Sequence, residues 1–168
     1  SAASDVYKRQ LLNQCIGSSF GLREFHIPFY GLYGACSTMG ESLALAAMSI
    51  DGGFARRVAA MTSSHFCTAE RQYRMPVPYG NQRTPTAQWT ATASGCTILS
   101  DEGPGPYITH VTCGKIVDKG IRDANNMGAA MAPAAYDTLS AFFRDTGTTP
   151  QDYDAIFTGD LGELGHAI

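Results

Sequence analysis

The sequence has little charge and no long hydrophobic run. Charged residues make up 16% of its 168 residues and the formal net charge is −3, whereas an average soluble protein has about 25% charged residues. This balance provides no basic surface, so nucleic acid is not expected as a partner. No apolar run approaches the length of a membrane span. No basic segment leads into an apolar stretch, so the sequence predicts no signal peptide.

Cysteine occurs in an odd number and without the spacing of a metal or redox motif. The five cysteines are irregularly spaced and form no Cys-x-x-Cys pair. This pattern supports neither a zinc site nor a dithiol redox centre, and a reducing compartment explains it most simply. No cofactor is expected. The cysteines are Cys15, Cys36, Cys67, Cys96 and Cys113.

The length fits one domain with a core of ordinary size. Residues 1–10, SAASDVYKRQ, fit poorly with the rest of the chain and indicate a leader outside the fold. We therefore expect residues 11–168 to form one partial domain. The chain enters within a predicted helix over residues 11–21 and stops shortly after a predicted strand, which indicates an internal fragment of a longer protein.

The stretch over residues 27–48 has the clearest pattern of a strand followed by a helix. It begins as an apolar, aromatic run of strand type, breaks at Gly34 and continues as a helix rich in small residues. Cys36 lies where the strand gives way to the helix. The positive end of the helix dipole there favours a thiolate and also suits a bound anion. The alternative is that Cys36 is a small buried residue in a tight turn.

The remaining elements alternate between strand and helix patterns. Strands are predicted over residues 55–63, 89–100, 107–117 and 153–158, and a helix over residues 129–145. A short turn joins the strands over 89–100 and 107–117, so these two are expected to pair antiparallel. The alternation predicts an α/β fold with a largely parallel or mixed sheet.

A long irregular segment over residues 68–86 interrupts this alternation. A loop of this length inside a compact domain is usually functional or disordered. It contains most of the polar groups that could form a site, namely Glu70, Arg71, Gln72, Arg74, Gln82 and Arg83.

The order of these elements resembles the thiolase-like fold, and more narrowly its ketoacyl synthase III branch. A closer resemblance is to the stage V sporulation protein AD family. Six short motifs carry it together: GLYGACST from residue 31, TSSH from 62, RQYR from 71, PYGNQRTPTA from 78, NMGAAMAPAA from 126 and TGDLG from 158.

The resemblance implies a thiolase-like fold that is only partly present, since the first half lacks its N-terminal strands. It also implies a protein of spore formation that binds dipicolinic acid (pyridine-2,6-dicarboxylate) and helps its uptake into the developing spore. The expected partners are other stage V sporulation A membrane proteins, and a homodimer is expected. The expected location is the cytoplasmic side of the forespore or spore inner membrane, or its periphery.

The resemblance also places Cys36 at the position of the family nucleophile. A condensing enzyme of this fold further needs a histidine in the loop after the strand over residues 153–158. The sequence has Thr158, Gly159 and Asp160 there, and His166 lies further on. We therefore expect a binder without catalysis. The alternative is an acyl-thioester-handling condensing enzyme with Cys36 as nucleophile.

Dipicolinate is a flat aromatic dianion, so its two carboxylates call for guanidinium groups or helix-start N–H groups. Arg71 and Arg74 share a face if their segment is helical, and Gln82 with Arg83 forms a second group. Each arginine has the alternative of an ordinary surface ion pair. Tyr33, Phe66 and Tyr73 are the aromatic residues that could flank the ring.

Two further residues complete the predicted site. His65 follows a strand end and could donate a hydrogen bond, although a structural histidine is the alternative. Asp160 is the second, and its alternative is a loop-capping residue beside glycine. The predicted ligand-binding residues are Cys36, His65, Arg71, Arg74, Gln82, Arg83 and Asp160.

Overall fold

The structure, a computed structural model, describes residues 4–9, 18–32, 34, 37–64, 92–123 and 126–167. The chain divides into two compact units. Unit 1 comprises Ser1–Tyr73 and Thr90–Thr109, and unit 2 comprises Arg74–Trp89 and His110–Ile168.

Unit 1 contains a four-stranded sheet. Its strands are β1 (Ser4–Arg9), β2 (Phe29–Leu32), β3 (Arg57–Ser64) and β4 (Ala93–Ser100), in the order β2-β1-β3-β4. β1 is parallel to both of its neighbours, and β4 pairs antiparallel with β3. The predicted strands over 27–33, 55–63 and 89–100 correspond to β2, β3 and β4. The mixed sheet agrees with the predicted α/β class.

The structure differs from the prediction for residues 1–10. Ser4–Arg9 form β1, which lies between β2 and β3 rather than outside the fold. Val6, for example, pairs in register with Tyr30 on one side and with Ala60 on the other. The short sequence SDVYKR has few strand-forming residues, so its local pattern is weak. Two neighbouring strands supply what the pattern lacks, because strand formation depends strongly on tertiary context.

Helix α1 (Thr38–Asp51) packs on this sheet and forms the core of unit 1 with it. The fully buried core residues are small: Ala46 of α1 lies with Val58 and Ala60 of β3. The buried stripe of α1 comprises Thr38, Ser42 and Ala46, spaced four apart as expected for one helical face. The predicted helix after Cys36 is thus confirmed over its described residues.

An ion-pair cluster joins the start of β3 to the end of β4. The Arg56 side chain bonds to Asp101 at 2.9 Å and also contacts the Glu102 carboxylate. The hydrogen bond from Arg56 lowers the pKa of Asp101, and the same bond raises the pKa of Arg56. All three side chains are exposed, so the cluster marks the end of the antiparallel pair rather than part of the core.

Unit 2 is built on helix α2 (Met127–Thr146), which confirms the helix predicted over residues 129–145. The side chain of Asn126 accepts a hydrogen bond from Ala129 N at 3.2 Å and caps the start. Gly147, at φ 67°, ends the helix, a backbone conformation that glycine adopts without strain. A 3₁₀ turn, Pro150–Asp152, follows with a capping box in which Thr149 holds the pKa of Asp152 low.

Two predicted strands are absent from the described residues. The segments over 106–123 and 153–161 contain no strand, and β4 pairs with β3 instead of with residues 107–117. Their apolar side chains are exposed, with Ile116 at 98% and Phe157 at 91%. An alternating pattern forms a strand only where a neighbouring backbone accepts its hydrogen bonds, and no described residue does so here.

Residues 110–117 instead pack against α2. Lys115 pairs with Asp137 at 3.1 Å, and the His110 ring meets Phe142 edge-on at 6.3 Å between centroids. A Cβ atom placed on Gly114 would lie 2.5 Å from Oγ1 of Thr138. With the Thr138 side chain in this position, the segment approaches the helix this closely because residue 114 has no side chain.

We expect Gly114→Ala to destabilise unit 2 by about 1–3 kcal/mol, the usual cost of an overpacked contact. Urea denaturation followed by circular dichroism measures the change in the free energy of unfolding. Gly159→Ala is the matched control, since a Cβ there meets nothing within 4 Å. Adding Thr138→Ala to Gly114→Ala should restore part of the loss; an equal effect of Gly114→Ala and Gly159→Ala would contradict the close approach.

Candidate functional site

The carboxyl ends of three parallel strands form one edge of the sheet in unit 1. Lys8 of β1 pairs in register with Leu32 of β2 and with Thr62 of β3, so the three strands end at the same level. In α/β folds, ligands bind beyond the carboxyl ends of such strands. In the sequence, β2 leads to Cys36 and α1, and β3 leads directly to His65.

The described residues of the connection between β2 and α1 are Gly34 and Ser37. Thr38, the first residue of α1, is 2% exposed, and its hydroxyl donates a 2.6 Å hydrogen bond to the carbonyl of Gly34. Ser37 is the N-cap residue and makes no side-chain capping hydrogen bond. The change from strand to helix predicted around Cys36 is thus confirmed on both sides of it.

The electrostatics of this helix start have two components. The amino end of an α-helix carries a partial positive charge that favours an anion or a thiolate. Glu41 lies in the first turn, and its carboxylate also complements that positive charge. An anion bound at this end would therefore share the turn with an existing negative charge.

Most of the predicted site residues lie outside the described residues, so their roles stay predictions. This holds for the predicted ligand-binding residues Cys36, His65, Arg71, Arg74, Gln82 and Arg83, and for the aromatic residues Tyr33, Phe66 and Tyr73.

Asp160 is the predicted site residue that the structure describes. Its side chain is exposed, and its Oδ1 accepts a hydrogen bond from Gly162 N at 2.9 Å. Gly162 is the first residue of helix α3 (Gly162–Ala167), so Asp160 forms an Asx turn that leads into it. The loop-capping alternative describes this geometry, and contact of Asp160 with a ligand stays a prediction.

His166 is the histidine nearest in sequence to the position where a condensing enzyme needs one. It lies in the last turn of α3 and is exposed. The loop itself contains Thr158, whose hydroxyl donates to the Gly159 carbonyl at 3.0 Å, and Asp160. The groups at this loop are hydrogen-bonded within the loop, and no imidazole is among them.

The structure adds two grooves that the sequence did not indicate. In unit 1 a groove of about 620 Å³ lies between α1 and β4 and includes Leu43, Ile50 and Ile98. In unit 2 a groove of about 340 Å³ is lined by the ring cluster of His110, Phe142, Phe143 and Tyr153 with neighbouring residues. Both are largely apolar. The alternating patterns of residues 93–100 and 107–117 predict an apolar face on each segment, but they do not predict a groove.

The described part of the chain contains neither a cluster of metal-binding side chains nor a membrane-spanning helix. Within it, no group of three or more His, Cys, Asp or Glu side chains could hold a metal ion. Among the helices with described residues, none is both long and apolar enough to cross a membrane. The thiols of Cys96 and Cys113 are exposed and form no disulfide.

The class of fold follows from a comparison with solved structures. A 2.1 Å crystal structure of a 3-oxoacyl-(acyl-carrier-protein) synthase III matches 98% of this chain and 58% of its own, with a TM-score of 0.60 and 14% sequence identity. The chain therefore has a thiolase-like fold of mixed α and β content, which confirms the predicted class.

The family follows from sequence comparison. The family model of Stage V sporulation protein AD (SpoVAD) matches residues 6–168. Over 158 residues the chain is 48% identical to Stage V sporulation protein AD of Bacillus subtilis (strain 168), covering 94% of this chain and 47% of that protein. The chain belongs to the stage V sporulation protein AD family, as the six motifs predicted. It spans about half the length of this curated relative.

Asp160 caps the start of α3, and two substitutions test how much this cap contributes. We expect Asp160→Asn to keep the fold, because the amide oxygen still accepts from Gly162 N. Asp160→Ala should destabilise unit 2 by about 0.5–2 kcal/mol, as loss of a helix-start acceptor does. Thermal unfolding measures both changes, and an Asp160→Ala variant as stable as Asp160→Asn would contradict the capping role.

Proposed function

We propose that the protein binds dipicolinic acid without catalysing a reaction and helps its uptake into the developing spore. Membership of the stage V sporulation protein AD family, shown by the match over residues 6–168, is the observation that carries the proposal. The proposed partners are other stage V sporulation A membrane proteins. The proposed location is the cytoplasmic side or the periphery of the forespore or spore inner membrane.

The chemistry of the ligand supports this choice of residues. Pyridine-2,6-dicarboxylate presents two carboxylates on one side of a ring, and each can take a bidentate guanidinium. Arg71, Arg74 and Arg83 supply three such groups within the segment over residues 68–86. Cys36 and the N–H groups after it, together with His65, are the proposed contacts from the edge of the sheet. A start of α1 without a side-chain cap supports an anion there.

The absence of catalysis is proposed from the loop after residues 153–158. Condensation on this fold requires a neutral imidazole that donates a hydrogen bond to a thioester oxygen. Asp160 is an acceptor, and its Oδ1 already binds the Gly162 N–H. A carboxylate there would repel the oxyanion that a condensing enzyme must stabilise.

Titration calorimetry on the full-length protein tests the binding. We expect pyridine-2,6-dicarboxylate to bind and the 2,3- and 3,5-isomers to bind much more weakly. Arg71→Ala or Arg74→Ala should weaken binding about tenfold or more, because a hydrogen bond to a charged group contributes about 1.5–3 kcal/mol. Arg144→Ala is the matched control, since Arg144 is exposed in α2 and pairs with Asp145 at 3.0 Å.

Three outcomes of this titration decide between the possibilities. Selective binding lost in both arginine variants but kept in Arg144→Ala supports the proposed site. Selective binding that survives both arginine changes places the site elsewhere. A folded protein that binds none of the three isomers rejects the dipicolinate proposal.

The second candidate function is acyl-thioester condensation with Cys36 as nucleophile. The likeness of the fold to a 3-oxoacyl-(acyl-carrier-protein) synthase III favours it, although at 14% identity that likeness concerns the fold alone. Incubation with acetyl-CoA followed by peptide mass spectrometry distinguishes the two functions. An acylated Cys36 supports the enzyme, and an unmodified Cys36 after long incubation supports the binder.

We propose in addition that the protein is a homodimer whose subunits pair through β4. This strand is the last in the order of the described strands, seven of its eight residues are exposed, and it contains neither a charged residue nor proline. Charge and proline are the usual protection of an edge strand against pairing. A strand of this length and composition at the end of the described sheet suits antiparallel pairing with a second copy about a two-fold axis.

We expect Ile98→Lys to convert the dimer to a monomer, because it adds a charge to a strand that contains none. Light scattering coupled to gel filtration measures the mass. Ile116→Lys is the matched control, since Ile116 is the same residue type and is also exposed but lies outside β4. An unchanged mass for Ile98→Lys, or a monomeric parent protein, would contradict pairing through β4.

A further inference from the structure

The symmetry of a dimer restricts the registers in which β4 can pair with its own copy. A two-fold axis that sets two copies of one strand side by side and antiparallel is perpendicular to the sheet, so each face of the sheet stays on its own side. Residues directly opposite each other also point to one face, and successive residues of a strand alternate between the faces. One residue of β4 therefore lies opposite its own copy in every such register.

Two residues near the middle of β4 give the longest pairing. A centre at Cys96 pairs residues 93–99 with their copies, and a centre at Thr97 pairs residues 94–100, which is seven of the eight residues in each case. A centre one residue nearer either end of the strand pairs only five residues. Backbone hydrogen bonds form along the paired length, so the choice lies between Cys96 and Thr97.

The ladder with β3 shows which face of the sheet each side chain of β4 occupies. Thr97 lies opposite Ala60 of β3, and the next residue on the same face, Leu99, lies opposite Val58. Both of these β3 residues are completely buried in the core that α1 forms with the sheet. Thr97 and Leu99 therefore face the helix. The even-numbered residues of β4 face the other side, where Ile98 is 72% exposed.

We infer that β4 pairs with its copy in the register centred on Thr97, an inference that rests on the proposed homodimer. In this register Ile98 lies opposite Cys96 of the partner subunit, and the symmetry makes the same contact occur twice. A cysteine side chain behaves as a small apolar group, so it covers part of the exposed isoleucine. In the register centred on Cys96, Ile98 would lie opposite the hydroxyl of Ser94, which is a less favourable neighbour for an apolar side chain.

The helix face of the sheet accommodates this register. Leu99 lies opposite Gly95 of the partner subunit, and a Cβ atom added at Gly95 would meet nothing within 4 Å. That position therefore has room for the larger side chain across from it. The two copies of Thr97 meet at the axis, and Thr–Thr pairs are among the favourable cross-strand pairs.

Disulfide cross-linking of the full-length protein tests the register. Directly opposite residues of an antiparallel pair have Cα atoms about 4.5–5.5 Å apart, a separation that a disulfide spans. During oxidation by copper phenanthroline in air, we expect Ile98→Cys to link to Cys96 of the partner subunit at least about tenfold faster than the parent protein forms any link between subunits. In this register the two copies of Cys96 are diagonal neighbours about 7–8 Å apart, which is too far for a disulfide. Peptide mass spectrometry identifies the linked residues.

Two variants control this measurement and a third gives a second test of the register. Adding Cys96→Ser to Ile98→Cys should abolish the link, because the opposite thiol is removed. Ile116→Cys should form no link between subunits, since Ile116 is also exposed but lies outside β4. Thr97→Cys should link to its own copy at the axis, and it replaces Ile98→Cys if that variant does not dimerise.

Light scattering coupled to gel filtration on the same variants separates this inference from the proposed homodimer. A dimer that links Cys96 to the thiol introduced at position 98 supports both. A dimer whose parent protein links Cys96 to its own copy overturns the register and keeps the homodimer. A dimer that stays unlinked in both Ile98→Cys and Thr97→Cys has the same meaning. A monomeric parent protein rejects the homodimer and the register with it.

Discussion

The close packing of α1 on the strands is the constraint on which unit 1 depends. Ala46, Val58 and Ala60 are completely buried where the helix meets the sheet. Side chains this small let the helix backbone approach the strands closely, and the dense contact compensates for their small apolar area. The short connection from β2 then brings the amino end of α1 to the edge where the parallel strands end. The candidate site depends on this placement.

Unit 2 is held together differently. It contains no strand in its described residues, and its contacts gather on α2: the ring cluster of Phe142, Phe143 and Tyr153, the ion pair of Lys115 with Asp137, and the approach of Gly114 to Thr138. These are contacts of a helix with extended chain. Ile116 and Phe157 are apolar residues of the kind found in buried strands. Both are exposed, and their segments form no strand in the described structure.

The thiolase-like fold of this chain does not decide its function, because one fold serves many functions. Cys36 lies in the sequence between β2 and α1, where the resemblance to thiolase-like enzymes predicts the nucleophile. The loop over residues 158–160 has a carboxylate committed to an Asx turn where such an enzyme needs an imidazole donor. The proposal of a binder without catalysis depends on these two features.

Local sequence determined the elements whose pattern is strong by itself: the helices α1 and α2, the strand β3 and the change of structure around Cys36. For Asp160 the sequence left ligand contact and loop capping open, and the structure shows the cap. The six motifs also determined the family. Tertiary structure decided the rest. β1 exists because two strands flank a weak segment, while residues 107–117 and 153–158, with a strong pattern, have no described backbone to pair with. Strand formation requires a hydrogen-bonding partner distant in sequence, whereas a helix makes its bonds within its own segment.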